Sequence, residues 1–335
     1  MNASEDRRIV ISIVAYKGAD LTIDCLRSIE PELASVPGSR VIVVDNASPD
    51  GAADRVAQAI ADHGWGAWAT LLRAPGNLGF AAGNNIAIRA MLADAQPAGY
   101  LLLLNPDTLV RPGALRTLVD FVAARPEVGM AGGRSEDPDA RPQVCCFRFP
   151  NAINEVLGHL GIGLLDRLFA RHLTRLGIPE QPLQVDWVSG AFVLFRRAVV
   201  EQIGPMDEGY FLYFEETDYL KRAQQAGWEC WHVPAARVVH LVGQTSGVTV
   251  RNQAPRRLPA YWFESRRRYF VRHHGRLYAA LTDLLVIVGF PLGRLRHWLA
   301  RKARPTPPHF LGDLIRHSAL FRREPAERPL RRAEA

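Results

Sequence analysis

Glu215, Glu216 and Asp218 crowd three carboxylates into four residues, and a fourth acid, Asp107, closes an Asn105-Pro106-Asp107 corner far upstream. Asp107 follows Tyr100 to Leu104, a run of four leucines after one tyrosine that suits a strand covered on both faces. Pro106 cannot extend a ladder, so pairing should stop there and leave Asp107 at the carboxyl end of the sheet. Ligands of open α/β sheets bind at that edge, and an aspartate there can hold Mg²⁺ or Mn²⁺ against a diphosphate whose own oxygens complete the shell. An Asx-type turn, in which Asn105 and Asp107 only satisfy local backbone groups, explains the same residues without chemistry.

The downstream acids carry two readings as well. A carboxylate can act as a general base, removing the proton of an attacking hydroxyl as the new bond forms. Acids in a first helical turn also simply complement the positive end of the dipole. His240 lies after a strand-like run; if its strand lies beside the one ending at Asp107, imidazole and carboxylate can share a cation, a donor pair Mn²⁺ accepts more readily than Mg²⁺. The stretch Gly76 to Asn85 is neither GxGxxG nor GxxxxGK[ST], so dinucleotide and P-loop readings fail. It reads as a helix start with free N–H groups, able to lie against a nucleotide or to pack tightly on the sheet.

The elements that must position these residues alternate. Arg8 to Tyr16 is rich in β-branched residues and predicts a first strand, with a helix over Leu21 to Ile29. Arg40 to Asn46 repeats the pattern, so Asp45 should end a second buried strand, and the turn Ala-Ser-Pro-Asp-Gly leads to a helix near Ala52 to Asp62. Ala69 to Arg73 predicts a third strand, a helix runs through Ala93, and Tyr100 to Leu104 is the fourth strand. Such βα units imply a mostly parallel central sheet flanked by helices. A helix over Gly113 to Ala124 precedes a loop-rich stretch, and Asn151 to Gly177 reads as a helical insertion of open role. Val185 to Phe195 predicts one strand interrupted at Ser189-Gly190, and Gly227 should cap the helix that Glu215 opens.

The chain has 335 residues, 48% of them hydrophobic, enough for one large α/β core and a smaller appendage. Cys25, Cys145, Cys146 and Cys230 form no CxxC pattern, which fits a reducing compartment, and no signal peptide is expected. Residues 251–335 hold 19 Lys/Arg against 6 Asp/Glu (+13), whereas the net charge of the whole chain is +7, leaving −6 for residues 1–250. The two stretches are read as a catalytic domain, 1–250, and a basic helical extension, 251–335. Aromatic residues in an RNA-binding pattern are absent, so no nucleic-acid partner is expected.

Taken in order, Asp45 in Val-Val-Asp-Asn, Gly76-Asn77-Leu78-Gly79-Phe80 with Gly83-Asn84-Asn85, Asn105-Pro106-Asp107, Trp187-Val-Ser-Gly-Ala191, Phe214-Glu-Glu-Thr-Asp218 and His240 resemble the family 2 glycosyltransferases of GT-A fold, in a rhamnosyltransferase-like subgroup. The resemblance covers about residues 8–275. It implies an inverting transferase that moves a sugar, rhamnose above all, from a nucleotide-diphosphate sugar such as dTDP-rhamnose to a glycan or lipid-linked acceptor in cell-surface polysaccharide synthesis. It implies that Tyr16, Asp45, Asn77, Gly79, Asn84, Asn105, Ser189 and Gly190 line the donor and acceptor cleft, and that Asp107 and His240 contact a divalent cation. Glu216 aligns with the family's base, most often an aspartate, so Asp218 and Glu215 stay as substitutes. Asn105 replaces the first acid of the family's DxD-type element. The Glu264 to Phe270 segment, with Arg266, Arg267 and Arg268, suits diphosphate recognition or a surface helix.

Leu277 to Gly293 is apolar except for Thr282 and Asp283, short for a membrane span. Flanking Arg294, Arg296, Arg301, Lys302 and Arg304 suggest a helix lying on an anionic membrane surface; a core or dimer helix fits the same pattern. The expected location is cytoplasmic, peripheral at the inner face of the membrane. Two rival functions are a sugar-nucleotide nucleotidyltransferase, which would want a Gly-rich basic loop where Lys17-Gly18-Ala-Asp20 stands, and a polyanion-binding module, which leaves Asp107, Glu216 and His240 unexplained.

Overall fold

The computed structural model describes residues 6–160, 168–169, 172–241, 255–301 and 306–323, so Lys302 and Arg304 lie outside the described residues. The first half follows the predicted alternation: β1 (Ile9–Ala15), α1 (Ala19–Ile29), β2 (Arg40–Asp45), α2 (Ala52–Asp62), β3 (Ala69–Arg73), α3 (Gly79–Leu92) and β4 (Tyr100–Leu104). After them come β5 (Thr108–Val110), α4 (Ala114–Ala123), β6 (Val128–Glu136), β7 (Cys146–Phe147), α5 (Ala152–Leu160), β8 (Leu183–Gln184), β9 (Trp187–Val188) and β10 (Phe192–Arg196). The described chain closes with α6 (Arg197–Ile203), α7 (Glu215–Gln225), β11 (Glu229–His240), α8 (Ala260–His274), α9 (Arg276–Leu299) and α10 (Phe310–His317).

The main sheet runs β3-β2-β1-β4-β10-β6-β11-β5, with β8 on β11. β1, β2, β3 and β4 are mutually parallel, as their helical crossovers require. β10 then enters antiparallel to both β4 and β6, so the sheet is mixed beyond that point. β1 is buried at every position because both faces are covered: Ile9, Ile11 and Ile13 meet Leu26, Val56 and Leu118, while Val10 and Val14 share the other layer with Ile88, Met91 and Tyr219.

Two sequence expectations change. Val185 to Phe195 is two strands, because the chain leaves the β7–β9 ribbon and turns at Ser189-Gly190-Ala191 before entering the main sheet as β10. The stretch after α4 contains β6, which lacks a β-branched run. Its glycines are there for close approach: a Cβ at Gly132 would stand 2.5 Å from Val188 Cγ2, and one at Gly133 2.4 Å from Phe192 Cε1.

The chain forms two compact units, one of residues 1–149, 174–211 and 215–254, the other of 150–173, 212–214 and 255 onward, so far as each is described. The helical insertion thus groups with the C-terminal helices, not with the sheet. In this second unit Phe263, Val286, Phe310 and Leu314 form a small core. Buried Arg266 joins Glu155 of α5 at 2.7 Å and Asp283 of α9, and Arg267 donates to the His317 carbonyl at 2.7 Å. These two arginines are therefore structural, which corrects the diphosphate reading for them.

Candidate active site

Because β1, β2 and β4 run the same way, Tyr16, Asp45 and Asn105 emerge at one carboxyl edge of the sheet. Asp45 is buried, and its Oδ2 accepts from the Ser48 amide at 3.1 Å, which fixes the turn after β2. Partly exposed Tyr16 precedes Lys17, whose ammonium lies 5.4 Å from the Tyr16 ring centre and whose amide donates to Ser48 Oγ at 2.8 Å.

Asn46 joins that turn to the glycine-rich stretch, a role the sequence reading missed although the residue was in view. Its Nδ2 donates to Asn77 Oδ1 and to the Gly79 carbonyl, both at 3.1 Å, and its Oδ1 accepts from the Leu78 amide at 3.0 Å. Gly79 has φ 83°, and a Cβ there would stand 2.2 Å from the Phe211 carbonyl oxygen, which the Phe80 amide binds at 2.8 Å. Only glycine admits that approach. Asn84 points elsewhere: wholly buried, it accepts from Ser12 Oγ at 2.7 Å and donates to the Phe80 carbonyl at 2.9 Å. These bonds tie α3 to β1.

The Asn-Pro-Asp corner is held from both sides. The Asn105 amide donates to the Ala191 carbonyl at 3.0 Å, and the Asn105 carbonyl accepts from Thr108 Oγ1 at 2.6 Å. β11 returns antiparallel to β5 with His240 opposite Thr108, and the Leu241 amide donates to the Asp107 carbonyl at 3.0 Å. This brings His240 Nε2 to 3.4 Å from Asp107 Oδ1 and to 3.4 Å from Asn105 Nδ2. The neighbour of the histidine strand is β5, which follows Asp107, and not β4, which precedes it. Two donors each about 2.1 Å from one octahedral ion stand about 3 Å apart when cis, so this carboxylate and imidazole fit a shared cation. Among the described residues no group of three or more His, Cys, Asp or Glu gathers to hold a metal.

The Ser189-Gly190-Ala191 turn lies beside this corner because Phe192 pairs with Leu104. Ser189 Oγ accepts from the Ala191 amide at 3.3 Å. A Cβ at Gly190 would stand 3.3 Å from Glu216 Cβ, so the turn also touches the start of α7. Burial raises the Glu216 carboxyl above the ordinary glutamate range, with backbone groups of Glu216, Gly190 and Thr217 pulling the other way. Burial, then the charge of Glu216, raises Glu215 well above that range. Oε2 of each glutamate has no hydrogen-bond partner among the described residues. Asp218 differs: fully buried, it accepts from Arg222 Nε at 3.0 Å and from the Tyr210 hydroxyl at 3.4 Å, while Arg222 also donates to the Ile203 and Pro205 carbonyls at 2.9 Å. Asp218 is thus tied to Arg222 and Tyr210, whereas Glu215 and Glu216 each keep an oxygen without such a partner among the described residues.

The chain is similar to known proteins in sequence and in fold. A sequence model of the family described as "Glycosyltransferase like family 2" matches residues 7–267. N-acetylglucosaminyl-diphospho-decaprenol L-rhamnosyltransferase of Mycobacterium tuberculosis is 30% identical over 217 residues, 62% of this chain and 68% of that protein. Rhamnosyltransferase WbbL of Escherichia coli K12 is 28% identical over 174 residues, covering 49% and 61% of the two chains. The mannosyltransferase PcManGT of Pyrobaculum calidifontis, solved with GDP-Man and Mn²⁺, superposes with a TM-score of 0.51 over 90% of this chain and 78% of its own, at 17% identity, a likeness of fold alone. With a family match over most of its length and a GT-A sheet whose carboxyl edge gathers the motif residues, the chain belongs to the family 2 glycosyltransferases.

Proposed function

We propose that the enzyme transfers rhamnose, with inversion, from dTDP-rhamnose to a hydroxyl of a lipid-linked glycan in cell-surface polysaccharide synthesis, working at the inner face of the membrane. The observation that carries the mechanism is one chain of contacts: His240 and Asp107 at 3.4 Å, the Asn105 amide on Ala191, and Gly190 against Glu216. The choice of sugar rests on the two rhamnosyltransferases it resembles.

Asp45 and the Asn77-to-Gly79 stretch receive the nucleoside, and Asp107 with His240 would hold a Mn²⁺ or Mg²⁺ ion. That ion, when bound, offsets the charge that builds on the leaving diphosphate. Glu216 accepts the proton of the attacking hydroxyl. Its raised pKa brings the carboxylate closer to the operating pH and makes it a stronger base than an exposed glutamate. Burial and the charge of Glu216 push the Glu215 carboxyl up more strongly, so it holds its proton to higher pH than an exposed glutamate would.

A transfer assay with dTDP-rhamnose, UDP-glucose and GDP-mannose against a lipid-linked N-acetylglucosaminyl diphosphate tests the reading. Transfer from dTDP-rhamnose alone, with inverted anomeric configuration by NMR, is expected. Transfer from another donor would overturn the choice of sugar, and retention of configuration would overturn the single displacement.

A further inference from the structure

Helix α9 is built inside out. Its fully buried positions are Ala279, Thr282, Asp283, Val286, Gly289 and Gly293, of which Val286 alone is a larger apolar residue. Asp283 faces inward, accepting from Arg266 Nη1, from Ser318 Oγ and from the Ala319 amide. Gly293 brings the α9 and α5 backbones together, since a Cβ there would stand 2.2 Å from the His159 carbonyl oxygen. Beside Val286, Ile287 and Phe290, which pack on the core, the other large apolar side chains point away: Leu277 is 89% exposed, Leu292 55% and Leu299 66%. A helix packed on a water-soluble unit normally shows the reverse pattern.

The exposed residues form a straight line. From Leu277 an exposed leucine or valine recurs after four, three, four, four, three and four residues to reach Leu299. That mean of about 3.7 lies near the 3.6 of a straight helix and above the 3.5 of a supercoiled pair, and it suits a flat surface better than a partner helix. The ends carry the residues of a membrane interface: Trp298 is 75% exposed, and Arg276, Arg294 and Arg301 are exposed. By length and composition α9 is also a candidate span. A span would take the Asp283–Arg266 pair and the α8 arginines into hydrocarbon, whereas lying in plane leaves them on the protein side.

We propose that this face of α9 rests in the headgroup layer of an anionic phospholipid bilayer, with the helix in the plane of the surface. The binding is a property of the second unit alone; its use, meeting a lipid-linked acceptor, rests on the reading given above. The test is flotation of the full chain with vesicles of phosphatidylcholine, with and without phosphatidylglycerol, alongside its oligomeric state and its dTDP affinity. The chain should float with the anionic vesicles and less with the neutral ones. The double variant Leu281→Glu, Val288→Glu should lose about tenfold or more in vesicle affinity with dTDP binding unchanged. Val288→Gln alone, a milder change, should show a smaller loss in the same direction and serves if the double variant unfolds. Wild type that stays unbound with both vesicles, or variants that float as well as wild type, would overturn the proposal. So would a wild-type dimer that the variants disperse, which assigns the face to a second copy. Because dTDP affinity is read separately, failure of the donor reading is told apart from failure of the membrane reading.

Discussion

His240 Nε2 stands 3.4 Å from Asp107 Oδ1 because the backbone on both sides is tied, His240 opposite Thr108 in the β11–β5 ladder and the Leu241 amide on the Asp107 carbonyl. If the pair shares a cation, Asp107→Ala should abolish the extra thermal stabilisation that Mn²⁺ adds to dTDP, since a ligand of the native state alone raises its apparent stability. His240→Ala should weaken the Mn²⁺ response and leave the preference among nucleoside diphosphates unchanged. An unaltered metal titration in the histidine variant would remove it from the site.

Asp218 should behave as a structural acid. Replacing it with Asn leaves Arg222, whose side chain is 14% exposed, without its buried counter-charge. Breaking such a pair typically costs about 3 to 5 kcal/mol. The expected readout is a clear fall in Tm, with the surviving folded enzyme binding dTDP normally; a stable but inactive Asn variant would point to Asp218 as the base.

Gly190→Ala separates positioning from folding. The new methyl would meet Glu216 Cβ at 3.3 Å, so the side chain must shift by a few tenths of an ångström. Small displacements of a base are costly to rate, and kcat should fall about tenfold with little change in Tm. A fall in Tm with normal kcat per folded molecule would mean that Gly190 serves packing only.

Glu215 offers a pH test. Burial and the neighbouring charge hold its carboxyl well above the usual range in the native state, whereas the unfolded chain loses that proton near pH 4.3. The contribution of Glu215 to stability is therefore complete below that pH and is lost as pH rises through the native value. Glu215→Gln, neutral at every pH, should gain stability relative to wild type as pH rises from about 4 to about 8. Melting curves across that interval check it; a constant difference would mean that Glu215 is not raised.

The parallel half of the fold was legible because its strands are continuous apolar runs that stop at turn residues, and α2, β3 and β4 fall where those runs predict them. β6 was not, since Gly129, Gly132 and Gly133 remove the pattern that marks a strand while serving contacts far away in sequence. Asp107, Glu216 and His240 could be picked out because each ends or begins an element, yet the pairing partner of β11 could not. The partners of Asn84 and Asp218 were not legible either: an amide or acid in a helix reads the same in sequence whatever it bonds, here Ser12 of β1 and Arg222 one turn along the same helix.

In the proposed reaction Glu216 removes the proton of the acceptor hydroxyl beside a donor held at the Asp107 corner. Steady-state transfer by Glu216→Gln, measured together with dTDP affinity, tests it most directly. A loss in kcat of about a hundredfold or more with unchanged dTDP binding is predicted, in the range expected for a general base. Transfer at the wild-type rate would mean that Glu216 is not the base.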